Sequence, residues 1–177
     1  MGKDKQARID RFRFVDDKKR TVAGEMLARK AIAEWCGVSP ESITFGTQKY
    51  GKPYAKNLSV EFNISHSGDI VVCAVDNNPI GIDVEKIRPI DLIVSKCICS
   101  DEELIYFFGH VPTEQDFIYT TDHHLLTRFF ELWTAKEAIH KLRGVGIGGM
   151  DRTEVTWTVQ TKQVLEGGYV MCIAAHE

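Results

Sequence analysis

The chain has 177 residues, of which 44% are hydrophobic and 27% are charged, and its formal net charge is -3 at pH 7. These values are typical of an ordinary globular protein, and no apolar run approaches the roughly 18 residues that a membrane helix needs. A nucleic-acid-binding module is also disfavoured, because such a domain is usually basic overall with aromatic residues among its charges.

The first predicted element is a helix from about Lys18 to Trp35. Its apolar residues recur at helical spacing, and Gly37 is expected to end it. Residues 1–30 carry ten Lys and Arg against five acids, whereas the rest of the chain carries twelve against twenty. This basic segment is either a solvated helix or part of an anion-binding surface.

A β-rich region follows the helix. The stretch "ESITFGTQKYGKPYA" alternates before a break, and "VEFNIS", "IVVCAVD" and "IGIDVEKI" are predicted strands separated by turns. Asp83 and Glu85 should point to the same face, because side chains alternate along a strand. Ser65 and His66 are expected at a strand-to-turn corner, where they can face an anion, although such a histidine is often a plain surface residue.

The second half is predicted to be mainly helical before it returns to strands. Cys97 and Cys99 could bind a metal, but no second pair has zinc-site spacing, and the five cysteines predict a reduced, cytoplasmic protein. "SDEE" at 100–103 predicts a capping box that begins a helix. After a polar loop, "LLTRFFELW" and "TAKEAIHKLRG" are predicted to be helical, and "TEVTWTV" and "YVMCIAAHE" are predicted terminal strands.

The segment "WTAKEAIHK" places Trp133, Glu137 and Lys141 four residues apart along one side of a helix. It has an ordinary structural interpretation, in which Thr134 and Glu137 form a capping box at a helix start. In that interpretation Lys136 and Lys141 are solvated, and Glu137 pairs with Lys141 at the surface.

The acidic strand and this helix together favour a metal site that handles phosphate. Mg²⁺ prefers a few carboxylate oxygens, with phosphates and waters completing its octahedron, and Asp83, Glu85 and Glu137 would supply the protein's share. Lys141 would then neutralise phosphate oxygens during transfer. The sequence has no Walker-type P-loop motif, and no G-x-S-x-G elbow surrounds Ser65.

Two similar strands, "DIVVCAVDN" at 69–77 and "GYVMCIAAHE" at 168–177, each end one half of the chain. This internal similarity suggests two related α+β lobes, an N-terminal lobe over residues 1–88 and a C-terminal lobe over residues 89–177. The carboxylates of the two lobes could then meet in the cleft between them.

Four motifs, "YGKPYA", "FNISHSGD", "IGIDVEKI" and "FFELWTAKEAIHKLRGVG", occur in that order. With them the chain resembles the 4'-phosphopantetheinyl transferases of the Sfp type over nearly its whole length. The resemblance implies a pseudo-dimer of two α+β lobes with the active site between them. It implies a monomeric, Mg²⁺-dependent enzyme that moves the phosphopantetheine arm of coenzyme A onto a serine of an apo acyl or peptidyl carrier protein, releasing adenosine 3',5'-bisphosphate.

The resemblance also implies roles for individual residues. Asp83, Glu85 and Glu137 would bind Mg²⁺, Glu137 would also be the base for the incoming serine, and Lys141 would contact the pyrophosphate; Asp83, Glu137 and Lys141 form the expected catalytic group. Coenzyme A contacts are implied for Lys5, Arg8, Thr21, Lys52, Ser65, His66 and Lys141. Family members usually have a strand and loop before the first helix, so this chain is either shortened at its start or lacks that strand.

Two other functions are consistent with parts of the pattern. One is a catalytically inactive homologue that binds coenzyme A or a carrier protein, and the other is a metal-dependent phosphohydrolase. The presence of all three carboxylates together with Lys141 favours the active transferase.

Overall fold

A computed structural model describes residues 13–48, 51–144 and 159–175. The helices are α1 (Val15–Cys36), α2 (Ser95–Ile98), α3 (Asp101–Phe108) and α4 (His123–Arg143). The strands are β1 (Phe45–Thr47), β2 (Pro53–Ala55), β3 (Glu61–Ser67), β4 (Ile70–Asp76), β5 (Ile80–Lys86), β6 (Ile90–Asp91), β7 (Tyr119–Thr120), β8 (Val159–Leu165) and β9 (Tyr169–Ala175). No helix in these ranges combines the length and the hydropathy that a membrane span requires.

In the N-terminal half, α1 packs against the antiparallel hairpin of β3 and β4. This confirms the predicted first helix, and Gly37 ends it with a left-handed φ of 66°. Apolar side chains on one side of α1, among them Ala28 and Ile32, are fully buried and share a core with Phe62 of β3. The short β1–β2 hairpin closes one end of this core.

In the C-terminal half, α4 lies across an antiparallel sheet with the strand order β5-β9-β8. The helix approaches β5 so closely that a Cβ at Gly81 would overlap the carbonyl oxygen of Ala138 and lie 2.6 Å from the backbone nitrogen of Leu142. Small buried residues accompany this close approach: Ala138 on α4, and Ala174 of β9, which is the register partner of Gly81. The first residue of the "GIDVE" motif is therefore a packing requirement.

The predicted capping box of α3 is confirmed, and it continues into an ion pair. Ser100 Oγ accepts a hydrogen bond from the backbone N–H of Glu103 at 3.2 Å, and Glu103 Oε2 accepts one from the Ser100 N–H at 2.7 Å. The same Oε2 lies 2.7 Å from Lys136 Nζ. Lys136 is only 3% exposed, so the ordinary structural interpretation, in which it is solvated, is wrong, and the carboxylate compensates its burial.

The helix start predicted at Thr134 is also wrong. Thr134 is completely buried in the middle of α4, and its hydroxyl donates to the carbonyl oxygen of Phe130 at 2.8 Å. Inside a helix the backbone N–H groups are already bonded one turn back, so Thr134 and Glu137 have no free helix end to cap. The helix begins after Asp122, whose side chain accepts from the Leu125 N–H at 2.8 Å.

The predicted α+β class is confirmed, and β9 is the expected last strand. The other predicted terminal strand, 153–159, lies outside the described residues except for Val159, with which β8 begins. Hydrogen bonding places β5 with β9, so the sheets divide between β4 and β5, before the predicted lobe limit at residue 88. The division into lobes stays a prediction.

Candidate active site

β3 and β5 belong to different sheets, yet they lie side by side and run in the same direction. Three β3 side chains accept hydrogen bonds from backbone N–H groups of β5: Asn63 from Ile82 at 2.9 Å, Ser65 from Val84 at 3.3 Å and Ser67 from Lys86 at 3.1 Å. We call this row of side-chain bonds the β3–β5 seam. It occupies the edge of β5 opposite to β9.

Asp83 lies on the seam and accepts two hydrogen bonds through one oxygen. Ser65 Oγ donates to Asp83 Oδ1 at 2.8 Å, and Lys141 Nζ of α4 donates to the same oxygen at 2.6 Å. The other oxygen, Oδ2, is buried and accepts no hydrogen bond from the described residues. Burial raises the pKa of Asp83, and the positive charge of Lys141 opposes that rise.

Glu85, two residues further along β5, has an equivalent partner. Ser67 Oγ donates to Glu85 Oε2 at 2.9 Å, and Arg88 Nη1 lies 3.2 Å from the same oxygen. Asp83 and Glu85 therefore share a face, as the strand alternation predicts, and each pairs with the serine that lies beside it on β3.

Glu137 joins these carboxylates from α4. It is 8% exposed and lines a pocket of about 260 Å³ together with Ile64, Ser65, His66, Asp83, Glu85, Trp133 and Lys141. Burial raises the pKa of Glu137, the negative charges of Asp83 and Glu85 raise it further, and Lys141 opposes the change. The predicted three-acid set and Lys141 thus meet in a single pocket.

A larger pocket of about 750 Å³ adjoins the first, since Ile64 and His66 line both. Its wall includes three cations, Arg20, Arg29 and Lys56, and one carboxylate, Glu25, which pairs with Arg29 at 2.8 Å. His66 is exposed and lies near the end of β3, and the turn that was predicted to include it begins two residues later, at 68–69. We call the two adjoining pockets the cleft; cations predominate in the wall of the larger pocket, and carboxylates predominate in that of the smaller one.

The other residues that were predicted to contact coenzyme A do not all line the cleft. Thr21 lines the larger pocket, and its hydroxyl donates to the carbonyl oxygen of Asp17 at 2.8 Å. Lys52 lines neither pocket; its amine donates to the carbonyl oxygen of Lys141 at 3.1 Å, and burial lowers its pKa. Lys5 and Arg8 lie outside the described residues.

The described residues contain no group of three or more His, Cys, Asp or Glu side chains already arranged to hold a metal ion. At the seam, the Lys141 ammonium is the cation that Asp83 contacts. The donor set nevertheless fits a hard divalent cation, because Asp83 has an unbonded buried oxygen and Glu85 and Glu137 line the same pocket. Two or three carboxylates leave room for the substrate phosphates and waters that Mg²⁺ usually retains.

Sequence reasoning missed two seam residues, Asn63 and Ser67. The signal was present, because "NISHS" repeats short polar side chains at every second position and so places Asn63, Ser65 and Ser67 on one strand face. Arg88 was also missed, and no sequence pattern pointed to its contact with Glu85.

Comparison with known proteins identifies the family of the chain. Two family models match consecutive parts of the chain, "4'-phosphopantetheinyl transferase, N-terminal" over residues 1–78 and "4'-phosphopantetheinyl transferase superfamily" over residues 79–173. The two matches meet between β4 and β5, where the sheets divide.

Individual relatives carry the same name. The chain is 43% identical to 4'-phosphopantetheinyl transferase psf-1 of Bacillus pumilus over 81% of its length, and 38% identical to 4'-phosphopantetheinyl transferase Sfp of Bacillus subtilis (strain 168) over 83%. It is 32% identical to 4'-phosphopantetheinyl transferase HetI of Nostoc over 89%. The matches span 58%, 62% and 65% of these relatives' own lengths. The chain belongs to the 4'-phosphopantetheinyl transferase superfamily, and within it resembles the Sfp type.

Proposed function

We propose that this chain transfers the 4'-phosphopantetheine group of coenzyme A to a serine of an apo acyl or peptidyl carrier protein, in a Mg²⁺-dependent reaction that releases adenosine 3',5'-bisphosphate. The observation that carries the proposal is the pocket in which Asp83, Glu85, Glu137 and Lys141 meet. Membership of the family and the names of the relatives support the same reaction.

The cleft suits a long anionic substrate. The end of coenzyme A that carries the 3'-phosphate would lie in the larger pocket, where the cations Arg20, Arg29 and Lys56 outnumber the carboxylate of Glu25. His66 lines both pockets, so it would lie near the passage of the pyrophosphate toward Lys141. Lys52 would act on the substrate indirectly, by holding the backbone of Lys141.

Glu137 would serve as the general base. The carrier serine is a weak nucleophile until its hydroxyl loses a proton, and a nearby carboxylate can accept that proton. As the proton leaves, a bond forms between the serine oxygen and the β-phosphorus of coenzyme A, and the bond from that phosphorus to the bridging oxygen breaks. The leaving group is adenosine 3',5'-bisphosphate.

Lys141 would stabilise charge on the transferred phosphoryl group. An ammonium has three protons, and the bonds to Ser65 at 2.9 Å and Asp83 at 2.6 Å use two of them. The third can bond a phosphate oxygen, and a fixed cation at this point stabilises the transition state more than it would in water.

Asp83, Glu85 and Glu137 would hold Mg²⁺. When bound, the ion would withdraw charge from the phosphate oxygens and assist the leaving group. The unbonded Asp83 Oδ2 supports this assignment, since a buried carboxylate oxygen without a donor is costly unless a cation binds it. We further propose a monomer that acts in the cytoplasm, without nucleic-acid or membrane partners, on carriers of fatty acid, polyketide or peptide synthesis.

The test is to incubate the chain with coenzyme A, Mg²⁺ and several apo carriers of each class, and to weigh the intact carriers by mass spectrometry. We expect at least one carrier to gain the mass of one phosphopantetheine group. A carrier whose acceptor serine is changed to Ala, and a reaction that contains a chelator, are the controls. Binding of coenzyme A without any mass gain would contradict the transferase and favour a binding homologue.

A further inference from the structure

The two serines of the seam, Ser65 and Ser67, lie two residues apart on β3 and make the same pair of hydrogen bonds. Ser65 accepts from the Val84 N–H and donates to Asp83. Ser67 accepts from the Lys86 N–H at 3.1 Å and donates to Glu85 Oε2 at 2.9 Å. Each serine therefore ties the backbone of β5 to the carboxylate of the preceding residue.

This arrangement fixes the direction of the Ser67 hydroxyl. A hydroxyl has one proton, and because the Ser67 oxygen accepts the Lys86 N–H, its proton is directed to Glu85. The second donor to that carboxylate, Arg88, has a side chain that is 58% exposed, and an exposed ion pair holds its partner weakly. Ser67 is thus the more firmly held of the two donors.

We propose that Ser67 is a positioning residue that orients Glu85 for cation binding. Its hydroxyl holds Oε2, so Oε1 is the oxygen left to bind the ion. Ser67 does not line the pocket that Glu85 lines, so it acts through Glu85 and not on the substrate. This inference rests on the proposed function, in which Glu85 is a Mg²⁺ ligand.

The test compares Mn²⁺ binding, measured by electron paramagnetic resonance, to the full chain and to Ser67→Ala, with and without coenzyme A. We expect Ser67→Ala to bind Mn²⁺ about tenfold more weakly, the lower end of the range seen when a group that orients a metal ligand is removed. Ser67→Thr keeps the hydroxyl on a residue that suits strands, so it should restore wild-type affinity. Ser59→Ala, in an exposed loop, controls for the loss of a serine hydroxyl.

Three outcomes would overturn the inference. Unchanged Mn²⁺ affinity in Ser67→Ala, alone or with a lowered melting temperature, would leave Ser67 a structural residue only. Weak binding in Ser67→Thr equal to that in Ser67→Ala would show that the hydroxyl is not the active feature. If the unmodified chain binds no Mn²⁺ even with coenzyme A, the metal assignment itself fails, which distinguishes failure of the proposed function from failure of Ser67.

Discussion

The two edges of β5 are built in opposite ways. On one edge, β5 pairs with β9 through a regular antiparallel register from Ile80–Ala175 to Lys86–Tyr169. On the other edge, the β3–β5 seam uses the side chains of Asn63, Ser65 and Ser67 in place of backbone carbonyl groups.

The β5–β9 edge, which we call the framed edge, fixes the position of the site, whereas the seam edge carries its chemical groups. A backbone ladder fixes the position of β5 whatever side chains it carries, because every residue supplies the same N–H and carbonyl groups. A seam of side chains places hydroxyl groups beside the carboxylates at alternate positions, where they can hold Asp83 and Glu85. Substitutions at the framed edge should therefore lower stability, whereas those of the two seam serines that hold the carboxylates, or in the pocket, should mainly alter chemistry.

The largest effect is expected from Gly81→Ala, which acts on the face of β5 that packs against α4. The added Cβ would overlap the Ala138 carbonyl oxygen, and backbone atoms inside a helix cannot move aside as a side chain can. We expect a loss of about 3 kcal/mol or more in the free energy of unfolding, at the upper end for an overpacked core. Urea unfolding followed by tryptophan fluorescence would measure it.

Gly24→Ala is the matched control for this substitution. A Cβ at Gly24 would lie 3.1 Å from a methyl group of Ile64, which is a side chain that can adjust, and alanine favours the helix. We expect a change within about 1 kcal/mol. Equal losses in Gly24→Ala and Gly81→Ala would show that the close contact of α4 with β5 is not special.

The second effect concerns the pocket. Glu137→Gln keeps the shape of the side chain but removes the base, so we expect turnover to fall about a hundredfold or more, while the melting temperature barely changes. The measurement is the rate of carrier modification at saturating Mg²⁺. Glu131→Gln, on the same helix but outside the pocket, should keep turnover near that of the unmodified chain.

Turnover of Glu137→Gln within a few-fold of the unmodified chain would remove Glu137 as the base. Helix capping offers no alternative explanation for a large loss, because Glu137 lies in the interior of α4.

The third effect sharpens the distinction within the seam. Asn63→Ala leaves the buried Ile82 N–H without its acceptor, so we expect a loss of about 1–3 kcal/mol in the free energy of unfolding. No hydrogen bond joins Asn63 to Asp83 or Glu85 among the described residues, so Mn²⁺ affinity should not change. Thermal unfolding and the Mn²⁺ titration together check this prediction, and a clear loss of Mn²⁺ affinity would show that the seam acts as one unit.

The smallest effect is a dependence of stability on pH. The pKa values of Asp83 and Glu137 are raised by burial, so between the ordinary carboxylate pKa of about 4 and the raised values the folded chain binds more protons than the unfolded chain. Their contribution to the free energy of unfolding therefore falls as pH rises through that window. Over the same window, Glu137→Gln should lose less of its free energy of unfolding than the unmodified chain. Urea unfolding at several pH values would measure this, and an equal dependence on pH in the two proteins would contradict it.

Local patterns were sufficient for part of the fold. The apolar spacing of α1, the capping box at Ser100 and the shared face of Asp83 and Glu85 all depend on residues close in sequence. Threonine followed three residues later by glutamate occurs both at helix starts and inside helices, so the sequence around Thr134 did not decide between them.

Local sequence patterns did not predict contacts between residues that are distant in the sequence. The burial of Lys136 depends on Glu103 of another helix, and the position of the Lys52 amine depends on a carbonyl group of α4. Neither partner is close in the sequence. Ser67 differs, because its place on the strand face was readable and only its carboxylate partner was not.

The pairing of β5 with β9 also sets an order for folding. Ile80 and Ala175 are about 95 residues apart, and closing so long a loop is slow because its entropy must be lost before the ladder forms. During synthesis, α1 and the β3–β4 hairpin can fold while β5 still lacks β9. The exposed edge of β5 can meanwhile pair with other chains, so the nascent protein is most prone to aggregation just before residues 169–175 leave the ribosome.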